Sequence, residues 1–435
     1  MKIKRLSLIN FRRFADFGIE FDKQLTVLVA RNGAGKSSVL DAVATALGPF
    51  LTRLPKVSGI NPKDTDFRTY DDGKKPPYMR ITCESFKGMK WDRTEKRDQA
   101  KSTASLIPEG IGVKAINEYV DQFIDAYNDD EEFELPIFIH YGTGRGVFEV
   151  PQRKKNFGKD FLRFDAYTGS LESHTNFRKF VEYFYFLEEQ ENKKIKELRS
   201  FDFVLPELKA IRKAINQLMP EFSNPRGVYP AGILVDWKTN NSIKQLRIEQ
   251  LSDGYRTTLA MVMDIAARMA EANPDKEDPL KTEGVVLIDE VDLHLHPGWQ
   301  QTIIPDLMRT FPNIQFIITT HSPQVVSTVP ARSLRVIDWE GEGDEESVRL
   351  IPVDFSLGAE SQLILEQILG VSPRPKNIEI VALLEQYKQL VSDDKWDSKE
   401  ALTIRKRLDE WGAEHEPELL RLDMDIRLKE YDRQS

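Results

Sequence analysis

Cysteine occurs once in this 435-residue chain, at Cys83, which excludes a disulfide framework and any multi-cysteine zinc ribbon or iron–sulfur centre. Histidine occurs only six times, and neither an HNH histidine–asparagine arrangement nor a clustered acidic TOPRIM pattern is present. Long apolar runs are missing as well. The stretch around Val285 to Ile288 falls far short of the ~20 residues that cross a bilayer. The opening MKIKRLSLINF is basic, but no apolar h-region follows it, so no signal peptide is expected. No internal repeat and no sustained heptad is visible, which excludes a long coiled coil. Together these absences point to a soluble, cytoplasmic protein.

What is present supports a large folded chain. At 40% hydrophobic and 30% charged residues it can bury a sizeable core, and at ~150 residues per domain it holds about three domain-sized units. The 61 Lys/Arg and 70 Asp/Glu leave a net charge of −9, unevenly spread. Asp354 to Ser435 carries 12 basic against 18 acidic residues. An acidic surface repels phosphate backbones, so this tail is a poor grip for DNA. Arg153 to Arg199 has the opposite sign, 11 basic against 8 acidic residues. Both charge runs read as solvated faces.

Apolar side chains at strand spacing mark Ile3, Leu6 and Leu8, then Phe17, Ile19 and Phe21, followed by a buried run at Leu25 to Val29. ARNGAGKSS, Ala30 to Ser38, comes next and opens a helical pattern ending at Gly48. Asn61 to Pro77, rich in Asp, Lys and Pro, reads as a loop. Tyr78 to Glu84 and Leu135 to His140 read as strands. Phe157 to Pro220 is mostly helical, with Leu208, Ile211, Ile215 and Leu218 on one face. Val228 to Asp236 and Ile243 to Ile248 flank Asn240 and Asn241 as a hairpin. Strand and helix then alternate to about Pro352, and an acidic helical stretch follows. The expected divisions are 1–152, a helical insertion at 153–225, 226–352, and a helical extension at 353–435.

The strongest chemical feature is the loop Asn32, Gly33, Ala34, Gly35, Lys36, Ser37, Ser38. It follows a buried strand and opens a helix, the context that a phosphate-binding loop requires. Gly33 and Gly35 let the backbone N–H groups turn inward, and the helix N-terminus adds partial positive charge. Lys36 reaches the β- and γ-phosphates of ATP, and the Ser37 hydroxyl holds Mg²⁺. Ala30 stands where the first glycine is usual and removes no ligand. GVVLIDE, Gly284 to Glu290, is the matching second half: a buried parallel strand with Asp289 at its end to bind Mg²⁺ through water, and Glu290 beyond it to polarise the attacking water. QLSDGYRT, Gln250 to Thr257, precedes an apolar helix. Ser252 is expected to cap it, leaving the following amides at a positive helix end open to an anion. A strand at Ile314 to Thr319 delivers Thr320, His321 and Ser322 to its end, with His321 as a second catalytic candidate.

These motifs together resemble the ATP-binding-cassette ATPases of the SMC and RecF kind: the phosphate loop Gly33 to Ser37, the signature LSDG at Leu251 to Gly254, the acidic strand end Asp289 and Glu290, and the switch histidine His321. VDLHLHPGWQ, FIITTHSPQVV and LILEQILGVSPRP resemble the compact bacterial ATPases related to overcoming-lysogenization-defect proteins, and within them the ATPase subunits of Septu and retron antiphage systems. The resemblance implies an α/β head, a mixed β lobe plus a phosphate-loop sheet with flanking helices, carrying a helical insertion and a helical C-terminal extension. It implies a homodimer, or a higher oligomer of dimers, with ATP between head-to-tail subunits: Lys36 and Ser37 from one, Ser252 and Gly254 from the other. It places Arg12 or Arg13 near the phosphates and Asp292 at the dimer contact. The glutamine that completes a Mg²⁺ shell has no obvious counterpart; Tyr141 to Arg145, or else Gln152, takes its place. It also implies a partner effector of HNH nuclease type, DNA contact through the complex, and no membrane.

His294 and His296, two apart and close to Asp292, could suggest a metal site, but without an i, i+4 pair they read as structural. The aromatic cluster Phe180, Tyr183, Phe184, Tyr185 and Phe186 could stack bases, and reads as packing instead. The alternative function is a RecF/SMC-like DNA-repair ATPase acting directly on DNA, which the net charge of −9 disfavours. A transporter subunit and an ATP-locked scaffold fit less well: the two phosphate motifs lie far apart in sequence, and Glu290 provides for turnover.

Overall fold

The computed structural model describes residues 1–146, 161–174, 177–228, 232–239, 242–341, 343, 346–413 and 415–434. Gln152 and the turn residues Asn240 and Asn241 lie outside them. The chain divides into two compact units, Met1–Ile364 and Leu365–Ser435.

The first unit is built on three sheets. β1 (Ile3–Phe11), β2 (Phe14–Glu20), β4 (Tyr78–Ser85) and β5 (Lys90–Lys96) form an antiparallel lobe in the order β2-β1-β4-β5. Alternation along β1 sends Leu6 and Leu8 inward. The central sheet takes β3 (Leu25–Val29), β6 (Ile137–Tyr141), β10 (Gly284–Ile288), β11 (Ile314–Thr319), β12 (Leu334–Glu340) and β13 (Ser347–Ile351) in the order β13-β12-β3-β11-β10-β6. Every residue of β3, β6, β10 and β11 is buried. A parallel strand covered on both faces has no solvent side, so it reads as a continuous apolar run. Helix α1 (Lys36–Arg53) touches both sheets and is apolar nearly all round, as a helix enclosed between layers must be.

The third sheet, β7 (Phe222–Val228), β8 (Gly232–Lys238) and β9 (Ile243–Arg247), is antiparallel. The β8–β9 pairing is the expected hairpin. β7 is an additional strand, and it begins before the expected division at 226. Its Ser-Asn-Pro sequence carries turn signals, and its register shifts between Ser223 and Arg226, so its strand character depends on pairing with β8. Helices of eight or more residues elsewhere in this unit are α2 (Lys114–Asn128), α3 (Arg178–Leu198), α4 (Pro206–Leu218), α5 (Asp253–Ala272) and α6 (Ile303–Thr310). Phe180, Tyr183 and Phe184 are buried, and the Tyr185 hydroxyl donates to the carbonyls of Val228 and Gly232. That cluster is packing.

The far half of α5 carries a buried ionic group. Tyr141 donates to Asp264 at 2.7 Å, Arg268 donates to the same carboxylate at 2.9 Å, and Lys179 pairs with Glu271 at 3.3 Å. Burial pushes the Glu271 carboxyl up to about 7, with Lys179 and Arg268 pulling it back. A carboxyl whose native value exceeds its unfolded one binds its proton more tightly when folded. Its contribution is therefore lost as pH rises from about 4.5 to about 7, by at most roughly 3 kcal/mol. Glu271→Gln is expected to flatten the decline of stability between pH 5 and pH 7, measured by urea unfolding. An unchanged slope would refute this.

The second unit holds α7 (Glu379–Ser392), α8 (Lys399–Gly412) and α9 (Pro417–Gln434) around Leu384, Tyr387, Trp396, Ile404, Leu408 and Leu419. Ser398 caps α8 by accepting from the Ala401 N–H at 3.1 Å. The extension is helical as expected, but the compact unit starts at Leu365 and not at 353. Residues 353–364 belong to the first unit, held by Ser356 Oγ donating to the Val329 carbonyl at 2.6 Å and the Gly358 N–H donating to that of Ser327 at 2.7 Å. Among the described residues no helix is long and apolar enough to cross a membrane.

Candidate functional site

The parallel register assembles the site. Ile288 lies beside Ile318 on β11 and Tyr141 on β6, and Leu28 on β3 lies beside Thr319. Chain continuing past the C-terminal ends of these strands therefore meets at one edge, where α/β sheets bind ligands. Ala30, Asp289 and Glu290 leave the sheet there, and Thr319 ends β11 at the same edge.

The loop from Ala30 to Gly35 turns on two left-handed residues, Gly33 at φ 75° and Gly35 at φ 99°. A Cβ on Gly35 would stand 2.5 Å from Phe14 Cζ, so only glycine fits. Gly35 is also the N-cap of α1, with no side-chain cap and no acidic residue in the first turn. The first amides of a helix buried against two sheets are thus offered without a protein side-chain acceptor. Lys36 is only 6% exposed; its ammonium donates to the Ala30 and Arg31 carbonyls at 2.9 and 3.1 Å. Burial lowers its pKa, while Asp289, Glu290 and Asp292 favour its charge. Asn32, Gly33 and Ser37 are exposed at the loop's mouth, Ser38 is half-buried and Ala34 is buried.

Across from the loop, the Asp289 carboxylate accepts from the Thr319 hydroxyl at 2.6 Å, and the same hydroxyl accepts from the Glu290 N–H at 2.7 Å. Asp292 accepts from Thr320 at 2.6 Å. His321 is half-buried, and its pKa is lowered first by burial and then by Lys36, against the pull of Asp292, Glu290 and Asp289. It therefore belongs to the same electrostatic group as the loop lysine.

The two early arginines have partners of their own. Arg12 pairs with Asp41 at 2.6 Å and Asp66 at 2.9 Å, and reaches Ser38 Oγ at 3.4 Å. Arg13 pairs with Glu346, lies over the Trp339 ring at 4.0 Å and donates to the Gly33 carbonyl at 3.1 Å. Both brace the loop from its protein side. Arg145, at the end of the Tyr141 to Arg145 segment, is buried and donates to main-chain carbonyls, so its own side chain offers no oxygen to a metal.

Ser252 is the N-cap residue of α5 by position, but its side chain makes no cap hydrogen bond. Ser252 and Asp253 are exposed, and Asp253 pairs with Arg256 at 2.7 Å. Gly254 lies against the loop after Glu290, where a Cβ would meet the His294 carbonyl at 2.4 Å. No hydrogen bond or ion pair among the described residues joins Ser252 or Gly254 to residues 30–38. His296 caps the short helix Pro297–Gln300 by accepting from the Gly298 N–H at 3.2 Å. Among the described residues no group of three or more His, Cys, Asp or Glu side chains is placed to hold a metal.

Sequence reasoning missed Asp41, Thr319 and buried His140, whose Nδ1 lies 3.8 Å from Asp41. Asp41 follows Lys36 by five residues on α1, and Thr319 ends an apolar strand, but neither position alone signals its partner.

Residues 5–223 match the family model described as "AAA domain", and residues 234–327 match one described as "AAA domain, putative AbiEii toxin, Type IV TA system". The chain is 29% identical to the Retron Ec83 probable ATPase of Escherichia coli, over 98% of this chain and 86% of that one. It is 26% identical to the Septu protein PtuA of Bacillus mycoides, over 74% of this chain and 38% of that one. An SMC head solved with the C-winged helix domain of ScpA covers 81% of this chain and 98% of its own length, at 15% identity and a TM-score of 0.45. The family match spans half the chain and contains the phosphate loop, and the acidic strand end lies within the second match. The chain belongs to the AAA-domain family and is a P-loop ATPase.

Proposed function

We propose that this ATPase works in the cytoplasm as the nucleotide-driven subunit of an antiphage system, closing head-to-tail with a second copy around ATP and thereby gating a nuclease partner of HNH type. The observation that supports this reading most is the placement of the signature: Ser252 and Asp253 lie exposed at the end of a long buried helix, with no bond to the chain's own phosphate loop. A positive helix end open to solvent suits the γ-phosphate held by another subunit. The likeness to retron and Septu proteins supports the defence setting.

The residues of the loop fit a nucleotide triphosphate with Mg²⁺: an uncapped helix start, a lysine bound only by carbonyls that phosphate oxygens can replace, and a hydroxyl and carboxylate at Ser37 and Asp289 to hold the ion. When bound, Mg²⁺ would neutralise charge on the β- and γ-phosphates. Lys36 exchanges the Ala30 and Arg31 carbonyls for phosphate oxygens. Glu290 accepts a proton from the attacking water as its oxygen bonds to the γ-phosphorus; the bond to the β,γ-bridging oxygen breaks, and ADP and inorganic phosphate leave. His321, beside Lys36, senses whether the γ-phosphate is present.

Ser252→Arg tests the shared site. The substitution is expected to leave ATP binding to one subunit intact and to block hydrolysis, because the bulky cation fills the helix end that must approach the partner's phosphate. A variant that hydrolyses ATP at the wild-type rate would show that the signature does not complete the site.

A further inference from the structure

Glu290, the residue that polarises water in the reading above, has a left-handed backbone, φ 48°. For a side chain longer than Asn or Asp this conformation is unfavourable and persists only where neighbours hold it. The structure shows what holds it. On the amino side, the Glu290 N–H donates to Thr319 Oγ1 at 2.7 Å. On the carboxyl side, its carbonyl accepts from Arg145 Nη2 at 2.5 Å and from the Leu293 N–H at 2.9 Å. The other guanidinium nitrogen, Nη1, donates to the Asp289 carbonyl at 2.5 Å and the Gly142 carbonyl at 3.1 Å. Arg145 is 4% exposed, and its rigid fork spans two consecutive carbonyls of the acidic strand end.

We propose that Arg145 and Thr319 are positioning residues that clamp the strained Glu290 backbone from both sides, and so aim its carboxylate at the attacking water. The Cα–Cβ direction of Glu290 follows from its backbone angles. Relaxation to the right-handed or extended region swings the carboxylate away while leaving Lys36, Ser37 and the loop amides untouched. The inference rests on Glu290 as the base. It goes beyond that reading by assigning a role to Arg145, at the end of the Tyr141 to Arg145 segment.

The consequence is a split between turnover and binding. A displacement of about 1 Å in a reacting group costs on the order of 10²-fold in rate. Arg145→Met in the full-length protein is therefore expected to lower kcat by about 10- to 100-fold, with nucleotide affinity unchanged within about threefold. Arg145→Lys, which keeps the charge and part of the donor set, should recover part of the loss. The double variant Arg145→Met with Glu290→Gln should turn over no more slowly than Glu290→Gln alone, because the clamp acts through Glu290.

Arg145→Met at the wild-type rate would overturn the clamp, as would loss of affinity in step with kcat or a double variant slower than Glu290→Gln. Should Arg145→Met fail to fold, Thr319→Ser and Thr319→Val decide: the serine keeps the hydroxyl that accepts from Glu290, the valine lacks it. The same hydroxyl donates to Asp289, so valine slower than serine at equal affinity for nucleotide and for Mg²⁺ supports the clamp, whereas equal rates, or a loss of Mg²⁺ affinity in step with the rate, overturn it. Glu290→Gln alone separates the two readings. If it turns over normally the general-base assignment falls; if it is inactive while Arg145→Met is normal, only the clamp falls.

Discussion

Lys36→Ala is expected to abolish ATP binding and, with it, any activity that depends on nucleotide. The ammonium is nearly enclosed and satisfied only by the Ala30 and Arg31 carbonyls, so it is free to exchange them for phosphate oxygens. Three carboxylates, Asp289, Glu290 and Asp292, act on this one ammonium. Alanine removes the cation and leaves a triphosphate facing those carboxylates. Charge-assisted hydrogen bonds of this kind contribute about 1.5–3 kcal/mol each, so losing two weakens affinity by roughly 10²- to 10⁴-fold. Isothermal titration with ATP and Mg²⁺ measures it directly. The overall fold should survive, since no carboxylate depends on Lys36 as a hydrogen-bond donor among the described residues. Affinity equal to wild type would sink the phosphate-loop assignment.

How far the sequence disclosed this site depends on how local each feature is. Leu25 to Val29, Gly284 to Ile288 and Ile314 to Thr319 read as buried strands, and Leu135 to His140 as a strand, because parallel strands covered on both faces must be apolar throughout. The order in which they pair is not local. β3 lies between β11 and β12 although nearly three hundred residues separate them in the chain, and no periodicity records that. Lys36, Ser37, Asp289 and Glu290 were legible because a glycine loop after a strand and an acidic pair after a second strand carry their chemistry in adjacent residues. The partners of Arg12 were not: Asp66 lies 54 residues away, and no local pattern pairs an arginine with a carboxylate that far along the chain. Arg145 escaped for a different reason. Its acceptors are main-chain carbonyls, which every residue has, so no side-chain pattern can announce them. The missing cap of Ser252 and the strand at Phe222–Val228 were set by exposure and pairing, both tertiary properties.

Glu290→Gln is expected to leave ATP bound and unhydrolysed. The amide keeps the length and shape of the side chain and makes no new demand on the backbone, whose N–H and carbonyl remain held by Thr319 and Arg145. It removes the negative charge proposed to accept the proton from water. General-base losses of this kind run to about 10²–10⁴-fold, or roughly 3–5 kcal/mol of barrier. Binding should survive because Lys36, Ser37 and Asp289 are untouched. Asp289 keeps its orientation through the Thr319 hydroxyl at 2.6 Å. Removing one carboxylate from the group that opposes Lys36 lessens repulsion toward the triphosphate, so affinity should rise if it changes at all. The variant should then accumulate in the closed pairing of two subunits, seen as a faster-sedimenting species when ATP is added and absent without it. Where nucleotide release sets the effector free, the variant should lock the system in one state, and a phage-infected culture carrying it should lose protection. Unimpaired turnover would remove Glu290 from the chemistry and turn attention to Asp292 and His321, which with Asp289 are the other groups that act on Lys36 or are acted on by it.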